Sequence, residues 1–188
     1  MNPMLASPSL QPAPPLGVQQ LQAIMPRLEA AQAHLCLPYL HEAMVAANIT
    51  TPPRQAAFLA QLAFESGELR FFEALASGEQ EEGRTDLGNV RPGDGVRYKG
   101  RGPIQLTGRR NYRAAGRALG LDLEDEPSRV ADIDVGFRVA AWYWTTRGLN
   151  ALADTGNFLE LTRRINGGFH ELDHRELYYR RALRVLAR

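Results

Sequence analysis

Eight of the chain's 17 glycines fall between positions 78 and 108 (Gly78, Gly83, Gly88, Gly93, Gly95, Gly100, Gly102 and Gly108), inside an otherwise helix-patterned sequence. Such density rules out a continuous helix there and demands backbone at positive φ or brought close to something else. The run closes on Gln105, Thr107, Asn111 and Tyr112, polar groups suited to holding a polar ligand. Upstream, FLAQLAFESGELRFFE carries Phe58, Leu62 and Glu65 at i, i+4 and i+7, so a carboxylate shares a helix face with two large hydrophobes. Desolvation there raises its pKa, as a general acid at neutral pH requires. An acid facing a glycine-rich polar floor is the layout of a glycan-cleaving cleft.

The flanking pattern is helical. Leu21, Ile24, Met25 and Leu28 recur at threes and fours, with a break at Pro26; a second helix carries Tyr39, Leu40, Met44 and Val45, with Pro38 near its start. Thr51-Pro52-Pro53 opens a third, which stops at Gly67. Val96 to Lys99 alternates between glycine pairs as a small hairpin would. Helices follow from Thr107 to Gly120, over 128–147, over 157–165 and from Glu171 onward. The expected class is α+β, mainly helical, with one small β-hairpin region. Residues 1–16 hold five of the 12 prolines and no charge, so they read as a flexible tail before a single domain over 17–188.

A net charge of +1 gives no global field toward nucleic acid or membrane. No run approaches the roughly 18 apolar residues of a membrane span. The first residues lack a signal-peptide pattern, which predicts synthesis in the cytoplasm and action elsewhere after release. The single cysteine, Cys36, excludes an intrachain disulfide framework and suits a buried small hydrophobe. Lys99, Arg101, Arg109, Arg110 and Arg113, interleaved with Tyr98 and Tyr112, form a basic patch that would suit phosphates, but neighbouring acids balance it. His170-Glu171-Leu172-Asp173-His174 matches the zinc-protease pattern H-E-x-x-H. Only 14 residues follow it, with no further histidine or cysteine, so neither a metal nor another cofactor is expected.

Glycoside hydrolysis usually pairs the acid with a second carboxylate, about 5 Å away for retention and roughly 6.5–9.5 Å for inversion. Glu68, Glu73, Glu79, Glu81, Glu82 and Asp86 are all in range by sequence, and pattern alone does not choose among them.

FLAQLAFESG, GDGVRYKGRGPIQLTGRRNY and INGG together resemble glycoside hydrolase family 19, over about Val18 to Arg188. That family includes plant-type chitinases and lysozyme-like endolysins of phages and prophages; EGRTDLGN and GDGVRYKGRG look most like the endolysin branch. The resemblance implies a lysozyme-like helical fold and hydrolysis of β-1,4 bonds in peptidoglycan, or alternatively chitin, by inversion; a monomer is expected because the pattern leaves no exposed apolar stripe unassigned. A binding module for wall glycan is the non-catalytic alternative. The resemblance makes Glu65 the general acid, and Glu73, or in longer-loop members Glu82, the general base. Thr107 would position the attacking water. Gln105, Asn111, Asn166 and Arg175 would hold substrate, and Tyr98 and Tyr112 would support sugars. Two departures stand out: Phe64 occupies the usual histidine position, and Glu81 replaces a frequent aromatic.

Overall fold

The computed structural model describes residues 16–168 and 171–187. Nearly all of the expected 1–16 tail therefore lies outside the described residues. What is described is mainly helical, as the sequence predicts. The helices are α1 (Val18–Ile24), α2 (Ala30–Ala46), α3 (Pro52–Glu65), α4 (Asp94–Arg97), α5 (Arg109–Leu119), α6 (Ile133–Thr146), α7 (Leu149–Asp154), α8 (Phe158–Asn166) and α9 (Leu172–Leu186).

α3 is the axis of the molecule. Every residue from Gln55 to Ala63 is buried, which a helix achieves only when neighbours cover it all round. Phe58 packs edge-on to Trp144 of α6, ring centroids 5.1 Å apart. α9 lies along α3 on another side. The buried Gln61 amide is bonded at both ends: it donates to Thr162 of α8 at 2.9 Å and accepts from Arg175 of α9 at 2.5 Å. A buried amide must be satisfied, so this network fixes α3, α8 and α9 in one register. Cys36 is fully buried, and its thiol is pushed up to about 11 by that burial.

Four local expectations need correction. Pro38 lies inside α2 rather than near its start. The helix expected over 128–147 is two elements, a 3-10 turn at Pro127–Ala131 and α6 from Ile133. Among the described residues the β-region contracts to two isolated bridges, Glu73 to Arg101 and Arg101 to Leu106. The segment read as a hairpin is α4, with Arg97 N donating to Gly93 O at 3.0 Å and Tyr98 N to Asp94 O at 2.9 Å. Its cause is polar and non-local. Asp94 accepts from the amides of Val90 and Arg91 and from the Arg109 guanidinium. The Glu82 carboxylate accepts from Gly93 N and Gly95 N, both at 2.7 Å. Alternating side chains cannot outweigh that many charge-assisted bonds.

Candidate active site

α3 ends at Glu65, and the chain reverses through Gly67, Glu68 and Leu69, all at positive φ (56°, 69° and 58°). That reversal exposes the end of a buried helix to a cleft of about 290 Å³ lined by Glu65, Glu81, Arg84, Leu87, Ile104, Gln105, Thr107, Asn111, Tyr143, Ile165 and Asn166. The Glu65 side chain keeps 17% exposure, enough for a ligand atom to reach it. Burial pushes its carboxyl above the usual range, while the Arg175 guanidinium, 2.7 Å from Oε1, partly pulls it back. Arg175 also stacks over Phe64, its guanidinium carbon 4.0 Å from the ring centroid. Phenylalanine in place of histidine thus supplies an apolar cushion for the arginine that holds the acid.

The floor is built by backbone approach. A Cβ on Gly100 would sit 2.6 Å from the Gln105 side-chain oxygen and 3.4 Å from the Thr107 hydroxyl, so glycine is what lets this strand pass under them. Gln105 takes a positive φ of 54°. Thr107 Oγ1 donates to Gln105 O at 3.0 Å, which leaves the hydroxyl oxygen to accept from a water, and Asn111 donates to Thr107 O at 2.7 Å. Opposite, the Asn166 amide nitrogen is buried with no hydrogen-bond partner. Glu65, Thr107, Gln105, Asn111 and Asn166 therefore share one cleft.

Other sequence-predicted residues lie elsewhere. Tyr98 and Tyr112 do not support sugars: both are buried, with their hydroxyls donating to Glu124 O and Lys99 O. Arg175 is 2% exposed and acts on Glu65 from behind rather than forming a cleft wall. Glu68 is buried and accepts from Arg27 and Tyr178, which removes it from the set of second carboxylates. Glu82 is spent on the start of α4. Glu82→Ala should lower stability by about 1 kcal/mol through that lost cap, whereas Glu82→Gln should keep turnover within a few-fold; thermal melting and initial rates check both. Glu73 is outside the cleft lining, on the neighbouring segment, 3.2 Å from both Lys99 and Arg101. Partial desolvation opposes ionisation, but these two cations win and hold its carboxyl below the usual range.

The expected basic patch is largely consumed by ion pairs. Arg109 binds Asp94 and Glu124, and Arg113 binds Glu124, whose carboxyl is driven down to about 2. His170 lies outside the described residues; His174 meets the Glu171 carboxylate at 2.6 Å. Among the described residues, no three His, Cys, Asp or Glu side chains group to hold a metal, and no helix is long and apolar enough to cross a membrane.

Sequence reasoning missed Tyr143. It sits in the buried run of α6, yet its hydroxyl donates to Ile165 O at 2.9 Å and its ring lines the cleft. A polar-tipped aromatic beside Trp142 and Trp144 was the available signal.

The sequence profile of glycoside hydrolase family 19, described as chitinase class I, matches residues 75–153. A family 19 domain-containing protein of Haemophilus influenzae is 40% identical over 97 residues, 52% of this chain and 46% of the relative. An endochitinase of Arabidopsis thaliana is 42% identical over 114 residues, 60% of this chain and 39% of the relative. Among solved structures, chitinase C from Streptomyces griseus superposes with a TM-score of 0.73 at 26% identity, over 91% of this chain and 76% of that one. A bacterial family 19 chitinase gives 0.74 at 26% identity, over 90% and 94%. Over residues 75–153 the chain matches glycoside hydrolase family 19. Its matched segment contains the floor and Tyr143, while Glu65 and Glu73 precede that segment. The chain aligns with less than half the length of these two curated relatives.

Proposed function

We propose that this protein hydrolyses β-1,4 bonds of bacterial peptidoglycan with inversion, as an endolysin-type enzyme acting on the wall after release from the cytoplasm. The observation that carries the reading is Glu65, a desolvated carboxyl raised by burial, set in a cleft with Thr107, Gln105 and Asn111. Burial favours its protonated form, which gives its proton to the leaving glycosidic oxygen. Glu73, kept ionised by Lys99 and Arg101, is the carboxylate that takes a proton from water as that water attacks the anomeric carbon. Thr107, next to the bridged Leu106, accepts a hydrogen bond from the same water. Gln105, Asn111 and Asn166 hold the sugars.

Glu73→Gln should lower kcat about 100-fold or more with KM little changed. Azide added to Glu73→Ala should restore turnover as the α-glycosyl azide. Undiminished activity in both variants, with loss in Glu81→Gln instead, would move the base to the other carboxylate at the cleft.

Chitin is the second substrate, favoured by the endochitinase names of several relatives. Clearing of outer-membrane-stripped Gram-negative walls, run beside soluble chitin oligomers, decides between the two. Faster hydrolysis of chitin overturns the peptidoglycan reading, and clearing of neither overturns the glycosidase reading.

A further inference from the structure

One cation near the cleft lacks the counterpart that its fellows have. Arg27, Arg54, Arg84, Arg109, Arg113 and Arg163 each pair with a carboxylate, and each is made more basic by it. Arg147, just past the end of α6, is half-buried and forms no ion pair among the described residues. Burial accordingly makes it slightly less basic than usual, though an arginine remains a cation at neutral pH. Its guanidinium carbon lies 3.3 Å from the centroid of Tyr143, over the ring of a cleft-lining residue. Arg164 donates to its carbonyl at 3.2 Å, tying this turn to α8.

A cation at a helix C-terminus is favoured by the helix dipole, and stacking on tyrosine adds to that. Those two effects account for an arginine at this place. They do not account for withdrawing a guanidinium from water with a tyrosine side chain but no carboxylate to meet it, which carries a desolvation cost. On the same wall the Tyr143 hydroxyl is committed to Ile165 O, while the Asn166 amide is buried and unbonded. A guanidinium without a carboxylate partner and an unused amide donor thus flank one aromatic surface. Such a pair fits a sugar whose substituent ends in a carboxylate: the ring lies at the cleft, the amide meets an acceptor, and the fork takes the carboxylate bidentately.

We propose that Arg147, stacked on Tyr143 beside Asn166, is an anion subsite that selects glycans bearing a carboxylate substituent, the lactyl or stem-peptide carboxylate of peptidoglycan, over neutral chitin. This rests on the glycosidase reading above and names the substrate feature that the cleft distinguishes. Arg147 takes no part in bond cleavage and acts by holding the substrate.

The test uses the full chain with Arg147→Gln, which removes the charge at similar length, and Arg147→Lys, which keeps the charge and loses the fork. Arg147→Gln should lower kcat/KM on stripped peptidoglycan about tenfold, mostly through KM, and leave chitin-oligomer turnover within twofold. Arg147→Lys should fall between. Raising salt should slow the wild type on peptidoglycan and leave Arg147→Gln nearly unaffected. Equal loss on both substrates means a structural role and overturns the proposal, as does no loss on either. Calorimetry separates this outcome from failure of the glycosidase reading. A disaccharide with a free lactyl carboxylate should bind the wild type about tenfold tighter than di-N-acetylchitobiose, and Arg147→Gln should erase the difference. That binding result stands even if neither polymer is cut, and equal affinities in the wild type overturn the subsite.

Discussion

Glu65→Gln should cut kcat/KM by about 100- to 10,000-fold on whichever glycan the enzyme hydrolyses, because the amide cannot give a proton to the leaving oxygen. The fold should survive. Glutamine keeps an oxygen to accept from Arg175, and Arg175 retains Gln61 and the Phe64 ring. Glutamine gives up the charge pairing with Arg175 but also ends the desolvation of a carboxylate, so the two changes offset and the melting temperature should move by only a few degrees. The decisive comparison is activity against melting temperature in one preparation. Wild-type activity in the variant would end the assignment of Glu65 as the acid. A melting temperature many degrees lower would mean that the carboxylate is structural. The pH profile carries the same logic: Glu65 lies above the usual carboxylate range and Glu73 below it, so kcat/KM should fall at high pH as Glu65 loses its proton and at low pH as Glu73 gains one.

How far the sequence carries to this site follows the range of the forces involved. Glu65 and the floor from Gln105 to Asn111 are set by local structure: a 3.6-residue apolar period that ends in a glycine, and glycines that let backbone pass beneath polar side chains. Such signals are written in neighbouring residues. The fate of the other carboxylates is not. Glu68 is taken by Arg27 and Tyr178, 41 and 110 residues away, and Glu82 by amides 11 and 13 residues on. A base and a cap look alike in sequence, because what distinguishes them is the partner that the fold delivers. The hairpin expectation failed for the same reason, since Arg109 and Glu82 impose a helical turn on residues whose own alternation favours a strand. Tyr98 and Tyr112 sit among cleft-lining neighbours in sequence and yet point into the core, ring centroids 5.4 Å apart. Arg175 was found as a matching residue, but its role, bracing the acid from behind, needed α9 laid against α3.

Arg175→Met should be the most destabilising single change at the site. Its guanidinium is buried and joins Gln61 of α3 to Glu65 at the same helix's end, so removing it strands a carboxylate and an amide oxygen away from water. Breaking a buried ion pair from one side costs about 3–5 kcal/mol, and a chain of this size loses roughly 2–4 °C of melting temperature per kcal/mol. The loss should depend on pH in a definite direction. Glu65 is already raised in the folded protein, so it binds its proton more tightly there than in the unfolded chain. The resulting cost is absent below the unfolded value and complete above the folded one. Arg175 holds the folded value down; without it the value climbs further and the penalised window extends upward. Urea denaturation should therefore show a larger deficit at pH 8 than at pH 5, where protonated Glu65 no longer needs the cation. The alkaline limb of kcat/KM should move to higher pH in whatever fraction stays folded. A deficit that is the same at both pH values would mean that Arg175 serves α3 and α9 through Gln61 and Phe64 alone, and that the proton on Glu65 is governed by burial without its help.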